Sequence, residues 1–361
     1  TQRAESGPKR SSPSKLEVFL SRKVMIGTGI LLFCLAFVIQ RFFTDADEYF
    51  ISEILRNDWL QPVADPFWLL MFWGTVAIFF MGILCLFVFS NKRRTGLAML
   101  AIVVLGGLFL GDALKSLFML DRPPGTFSAW VPALYEDFIP LPGESHDFPA
   151  QSVLVPAAFA TYFYLENPKR WKQVAFPIYV GLMFLARPYV GVNHISASIA
   201  GTILGIYLGF AVFRYLDEVR GWTLFESKAK KVVLSVGVFG LMFLIYTLER
   251  PFFYSEPSRG VDLDIRMFMM VLGGFIGISV EGPKELTYTL EGIDAKARFV
   301  TSLIIAYAVL FGIYVLALIV PSPLFVLGIL LGFVDGLWIS VGGPKLVESM
   351  NKKMIQDEIK T

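Results

Sequence analysis

The chain has 361 residues, of which 55% are hydrophobic and only 17% charged, with a formal net charge of +2 and a mean hydropathy of +0.62. Soluble domains carry about a quarter charged residues, so a soluble fold is excluded, and no nucleic-acid partner is expected. The two cysteines, Cys34 and Cys85, both sit in apolar runs, and there are two histidines, His146 and His194. A disulfide framework and a cysteine-based metal site are thereby excluded, and no histidine-rich metal centre, other metal or cofactor is expected.

Thr1 to Lys23 is polar, basic and rich in Ser and Pro, the composition of a disordered tail. The apolar run after it has no small-residue cleavage site and reads as a membrane helix, not a signal peptide. A bilayer core needs roughly 20 apolar residues per helix. Suitable runs fall at 24–43, 67–90, 97–118, 149–165, 173–186, 195–215, 232–247, 264–281, 299–320 and 323–341. The fifth is short for a span and is expected to extend into its flanks.

With the N-terminus placed in the cytoplasm, 24 of the 32 Lys and Arg residues fall on the inner side. Such a bias follows the positive-inside rule, and it predicts about ten transmembrane helices with both termini cytoplasmic. Three of the eight outer cations, Lys115, Arg122 and Arg187, cluster at or beside the outer ends of the third and fifth runs.

Glycines repeat every four residues at Gly201, Gly205 and Gly209, and at Gly107 and Gly111, a spacing that lets helix backbones approach closely. The segment Ile278-Ser279-Val280-Glu281-Gly282-Pro283-Lys284 returns 61 residues later as Ile339-Ser340-Val341-Gly342-Gly343-Pro344-Lys345. Each copy is expected to stop a helix at its Gly-Pro pair, and together they hint at a duplicated two-helix unit.

Asp112 lies three residues before Lys115, where an ion pair on one helix face is possible, with local charge compensation as its plain role. Asp335 sits inside the last apolar run, where an ionisable group is a functional candidate by default; no partner is visible in sequence. Tyr49, Phe50, Trp59, Trp68 and Trp73 read as an interfacial aromatic belt. The acidic stretch Asp45, Asp47, Glu48 and Glu53 reads as a solvated amphipathic segment.

The candidate chemistry begins at Lys115, which six residues separate from Arg122-Pro123. A second segment, Phe148-Pro149-Ala150-Gln151-Ser152, opens the fourth run. A third, Ala186-Arg187-Pro188-Tyr189-Val190-Gly191-Val192-Asn193-His194-Ile195-Ser196-Ala197, bridges the fifth and sixth. In this order and topology the three segments resemble the motifs of the type 2 phosphatidic acid phosphatase family, which includes the vanadium haloperoxidases. The resemblance covers roughly 24–215, and more loosely the C-terminal extension found in some prokaryotic members.

It implies an all-α polytopic membrane protein with a six-helix phosphatase-like core and a four-helix C-terminal extension. The divisions are a cytoplasmic tail (1–23), the core (24–215), a cytoplasmic linker (216–231), the extension (232–345) and a second tail (346–361). The site is implied on the extracytoplasmic face.

The resemblance implies phosphate binding by Lys115, Arg122 and Arg187, with Gln151 as a further donor in an altered cradle. It also places three chemical roles on residues that cannot perform them. The nucleophilic histidine position holds Asn193, the orienting aspartate position Ala197, and the proton-donating histidine position Ser152. A basic nucleophile, its carboxylate and a proton donor are what the reaction needs. The expectation is therefore a site that binds a phosphorylated lipid or other anion without cleaving it, or a subunit assembling with another membrane protein.

A rewired phosphatase is the second reading, with His194 as nucleophile, His146 as acid, and Asp147 or Glu144 as orienter. One step along a helix turns a side chain by about 100°, which would direct His194 away from the cradle. Two interfacial histidines bonded to outer loops are its plain counterpart. A transporter or flippase is a third reading, resting only on helix count and the C-terminal echo.

Overall fold

The computed structural model describes residues 22–49, 93–123, 146–189, 192–222, 293–319 and 325–358, with short stretches at 51–85 and 229–277. Among the described residues all regular structure is helical. In chain order the helices are α1 (Arg22–Tyr49), α2 (Arg93–Ile102), a π-helical stretch (Val103–Gly111), α3 (Asp112–Phe118), α4 (Gln151–Glu166), α5 (Arg170–Tyr189), α6 (Ile195–Trp222), α7 (Ile293–Ile319), α8 (Phe325–Leu337), a second π-helical stretch (Trp338–Gly342) and α9 (Gly343–Glu358).

Among the described residues, three helical stretches are long and apolar enough to cross a membrane: Ile195–Tyr215, Lys296–Ile313 and Leu327–Met350. A shorter apolar stretch, Gly27–Phe42, lies in α1. The expected runs at 67–90, 232–247 and 264–281 lie largely outside the described residues. The fifth run does extend at both ends, as α5. One side of α5 exposes Trp171, Val174, Ile178, Leu182 and Leu185. An apolar stripe of that length would be a liability in water and is compatible with membrane association.

The core is organised by α4 and α6, which share the most extensive contact. The four-residue glycine repeat is what brings them together. A Cβ on Gly201 would meet the Ala150 carbonyl oxygen, one on Gly205 that of Leu154, and one on Gly209 that of Ala158. Each glycine therefore faces one turn of α4 backbone, and no larger residue fits between. Pro149 precedes α4, and its first cap, Ala150, is extended. At the other end Asn167, also extended, precedes Pro168, whose ring disfavours helical geometry at the residue before it.

The C-terminal region repeats this packing. Cβ atoms on Gly273 and Gly336 would meet the carbonyls of Phe333 and Met270 respectively, and Trp338 donates from Nε1 to Ala306 O at 3.0 Å. The expected helix stop at Gly343-Pro344 is corrected: the chain passes from α8 through the π-helical stretch into α9 without leaving helical geometry. Pro344 is the second residue of α9, directly after the π-helical turn. The expected tail at 346–361 is accordingly helical to Glu358. The first copy of the echo, 278–284, lies outside the described residues.

Candidate functional site

The end of α4 that begins at Gln151 gathers all three motifs. The segment 146–150 reaches it as a strap held by backbone: Asp147 N donates to Leu120 O at 2.9 Å and Ala150 N to Ala197 O at 3.0 Å. Phe148, fully buried, locks the strap to α1 and α3. Its ring centroid lies 5.3 Å from Phe33 and 5.5 Å from Phe118, and Phe37 lies 4.6 Å from Phe118. The peptide bond between Phe148 and Pro149 is cis.

Lys115, almost fully buried, donates to Gln151 Oε1 at 3.2 Å, and Gln151 Nε2 donates to Gly107 O at 2.8 Å. A Cβ on Gly111 would strike the Gln151 side chain, so this glycine makes room for the bridge. Arg122 donates to Val192 O at 3.0 Å, tying the first motif to the third. Arg187 donates through Nε to the Ser152 hydroxyl, tying the third to the second. The two guanidiniums are close enough to repel each other, and the Asp147 charge acts on both. The structure thus brings Lys115, Arg122, Arg187, Gln151 and Ser152 together. The side chains of Asp112 and Glu144 lie outside the described residues.

Beside this cluster lies a buried polar network centred on Asp147. Its Oδ2 accepts from Gln40 Nε2 at 2.7 Å and from His194 N at 3.2 Å, and lies 2.7 Å from His194 Nδ1. Asn193 Nδ2 donates to Asp147 O at 3.0 Å and also to its Oδ1. The other ring nitrogen of His194 is 3.6 Å from Glu48 Oε1. Ala197, buried beside the strap, offers only its carbonyl. Four buried polar atoms here have no hydrogen-bond partner among the described residues: Gln40 Oε1, Asn193 Oδ1, His194 Nε2 and Ser198 Oγ.

The two histidines differ in electrostatics. Burial works against protonation of His194, but the hydrogen bond to Asp147 and the charges of Asp147, Asp47 and Glu48 outweigh it and raise its pKa. His146 is lowered, first by burial; Asp121 pulls the other way, and Lys115 and Arg122 add to the depression. His146 is therefore the imidazole that feels the cation cluster, which works together with burial against its protonation.

Two residues read as solvated in the sequence are not. Asp47 accepts from Ile195 N at 3.0 Å, Ser196 N at 3.1 Å and Ser196 Oγ at 3.0 Å, capping the N-terminus of α6 as a carboxylate does well. Glu48 is half-buried against His194. The reason for the correction is that α1 runs to Tyr49 and packs along α6. Gln40 was not singled out by sequence reasoning. Its signal was a polar residue in an apolar run, seven positions before Asp47 and hence on the same helix face.

Residues 95–220 match the family model described as the PAP2 superfamily. Over this domain-sized stretch the chain is similar to that superfamily. No curated protein and no solved structure matches the chain. The matched stretch spans α2 to α6 and so includes every motif residue named above.

Proposed function

We propose that this PAP2-like chain is a polytopic integral membrane protein, catalytically degenerate, whose outer-face anion site holds a phosphorylated lipid. The domain divisions and cytoplasmic termini expected from the sequence belong to this reading. The observation that carries it is the convergence of Lys115, Arg122 and Arg187 around Gln151 and Ser152, beside an Asn193 amide committed to Asp147. Cations in this arrangement clamp a phosphoryl group by charge and by forked guanidinium hydrogen bonds. Asn193, Ala197 and Ser152 supply no nucleophile, orienter or strong acid for cleavage. Service as a subunit of a membrane complex is compatible with the same site.

A second reading, an active phosphatase, is favoured by the 2.7 Å pairing of His194 with Asp147, the geometry of an oriented imidazole. Weighing against it, the ring nitrogen left for attack faces Glu48, and the charges acting on His194 are carboxylates, not the three cations.

Phosphate release by the purified protein from phosphatidate and from a polyprenyl diphosphate tests both. The triple variant Ser152→His, Asn193→His, Ala197→Asp runs alongside. Silence from the natural sequence with turnover by the variant is the expected result. Turnover by the natural sequence that His194→Ala abolishes would establish the second reading instead.

A further inference from the structure

Asp147 brings a full carboxylate to a site built from cations. It is fully buried, its backbone is held at both N–H and C=O, and its carboxylate takes donors from Gln40, Asn193 and His194. The two neighbouring amides show what that charge demands. Gln40 and Asn193 each turn their NH2 toward Asp147 and leave their own oxygens, Gln40 Oε1 and Asn193 Oδ1, buried with no hydrogen-bond partner among the described residues. Leaving a buried acceptor unmade is costly, so the arrangement is ordered around a negative charge. Backbone and side-chain bonds set Asp147 next to the cations. Asp147 N bonds Leu120 O two residues before Arg122, and Val192, beside Asn193, takes Arg122 on its carbonyl and donates its N–H to Arg187 O. The carboxylate charge thus acts on both guanidiniums.

We propose that Asp147 is a built-in counter-anion that sets the affinity and charge preference of the cation cluster. A phosphomonoester dianion bound beside Arg122 and Arg187 is held against this carboxylate, so the site discriminates by ligand charge. The inference rests on the anion-site reading above and deepens it, naming Asp147 as the residue that tunes which phosphorylated ligand stays bound.

The test is calorimetric titration of the full chain in detergent at pH 8. Inorganic phosphate, methanesulfonate and dioctanoyl phosphatidate are compared on the natural protein and on Asp147→Asn. Phosphate is expected to bind at least about tenfold tighter to the variant, and the singly charged sulfonate by only about the square root of that gain, because the Coulomb term scales with ligand charge. A gain shared by phosphate and phosphatidate assigns the effect to the phosphoryl group of either source; a gain confined to the lipid overturns the proposal. So does unchanged or weaker phosphate binding by a variant that elutes like the natural protein, or an equal gain for phosphate and sulfonate.

Should Asp147→Asn fail to fold, Gln40→Met carries the test with the opposite sign. It strips a neutral donor from the carboxylate, strengthens its field at the guanidiniums, and is expected to weaken phosphate binding several-fold; unchanged affinity overturns the proposal. Absence of binding by the natural protein and every variant would remove the anion-site reading itself. Binding by the natural protein without tightening in Asp147→Asn would remove only the role given to Asp147.

Discussion

The two ends of α4 are built from similar materials to different effect. At the Glu166 end, Thr95 and Tyr162 both donate to Glu166, at 2.7 and 3.3 Å. Lys172 donates to Phe163 O at 2.7 Å, with its ammonium 4.9 Å from the Phe163 ring centroid. A lysine meeting a late helical carbonyl caps the helix and complements its dipole. At the Gln151 end lie three cations, a buried carboxylate and four polar atoms that have no hydrogen-bond partner among the described residues. The two ends thus differ in how much of their buried polar capacity the described residues take up, a difference that a simple inventory of charges would not show.

The contrast can be broken outright at the element both ends share. Gly205→Leu would drive a side chain into the Leu154 carbonyl in the first turn of α4. It is expected to cost several kcal/mol, beyond the usual ~1–3 kcal/mol of overpacking because the obstacle is backbone. Loss of the monodisperse peak in detergent chromatography would report it. A fully stable variant would mean that the helices do not need this approach.

A smaller effect isolates the Glu166 end. Lys172→Met keeps the aliphatic stem but leaves Phe163 O without its charged donor, at a cost of about 1.5–3 kcal/mol. Thermal unfolding should register the loss while phosphate affinity stays unchanged. An affinity loss matching the stability loss would show that the two ends are coupled.

The third prediction sharpens the comparison through the histidines, whose stability contributions run in opposite directions. His194 has its folded pKa raised above the ordinary 6.5. Its contribution is present in full below that value and fades as pH rises through the folded one. The groups facing it are Asp147 on the strap and Asp47 and Glu48 on α1. His146 has its folded pKa lowered, so the protein loses stability as pH falls through the ordinary range. His194→Gln should flatten the high-pH decline in melting temperature and leave the low-pH decline intact, and His146→Gln should do the reverse. Identical profiles for both variants would contradict the assignment.

The smallest expected change is Thr95→Val, which removes one hydrogen bond to Glu166 and should cost about 1 kcal/mol. It should leave anion binding untouched in the same titration.

Much of this was legible in the chain. The glycine spacing announced a close helix approach on α6, without naming α4 as the partner, and the sequence placed Lys115, Arg122 and Arg187 at neighbouring helix ends, because both are patterns within or between adjacent helices. The Asp147 network was only half legible. Asp147 was one of two candidate orienters for His194, but Gln40 stands 107 residues from Asp147 and 154 from His194, and no local pattern links them. Asp47 and Glu48 looked solvated because local composition cannot register that another helix end docks against them. The Gly343-Pro344 pair misled for a related reason: a proline stops a helix only when nothing rearranges the turn before it, and here a π-helical turn does.

The other π-helical stretch, Val103–Gly111, lies directly ahead of α3. A π turn takes more residues than an α turn, so it acts as a phase shifter: side chains beyond it emerge at a different angle from the one continuous α-helical counting would give. Lys115 is the first motif residue past it. Its aim toward Gln151 is thus written in the length of a nine-residue stretch that carries no charge of its own, and a motif that reads as local chemistry depends on how the preceding helix is wound.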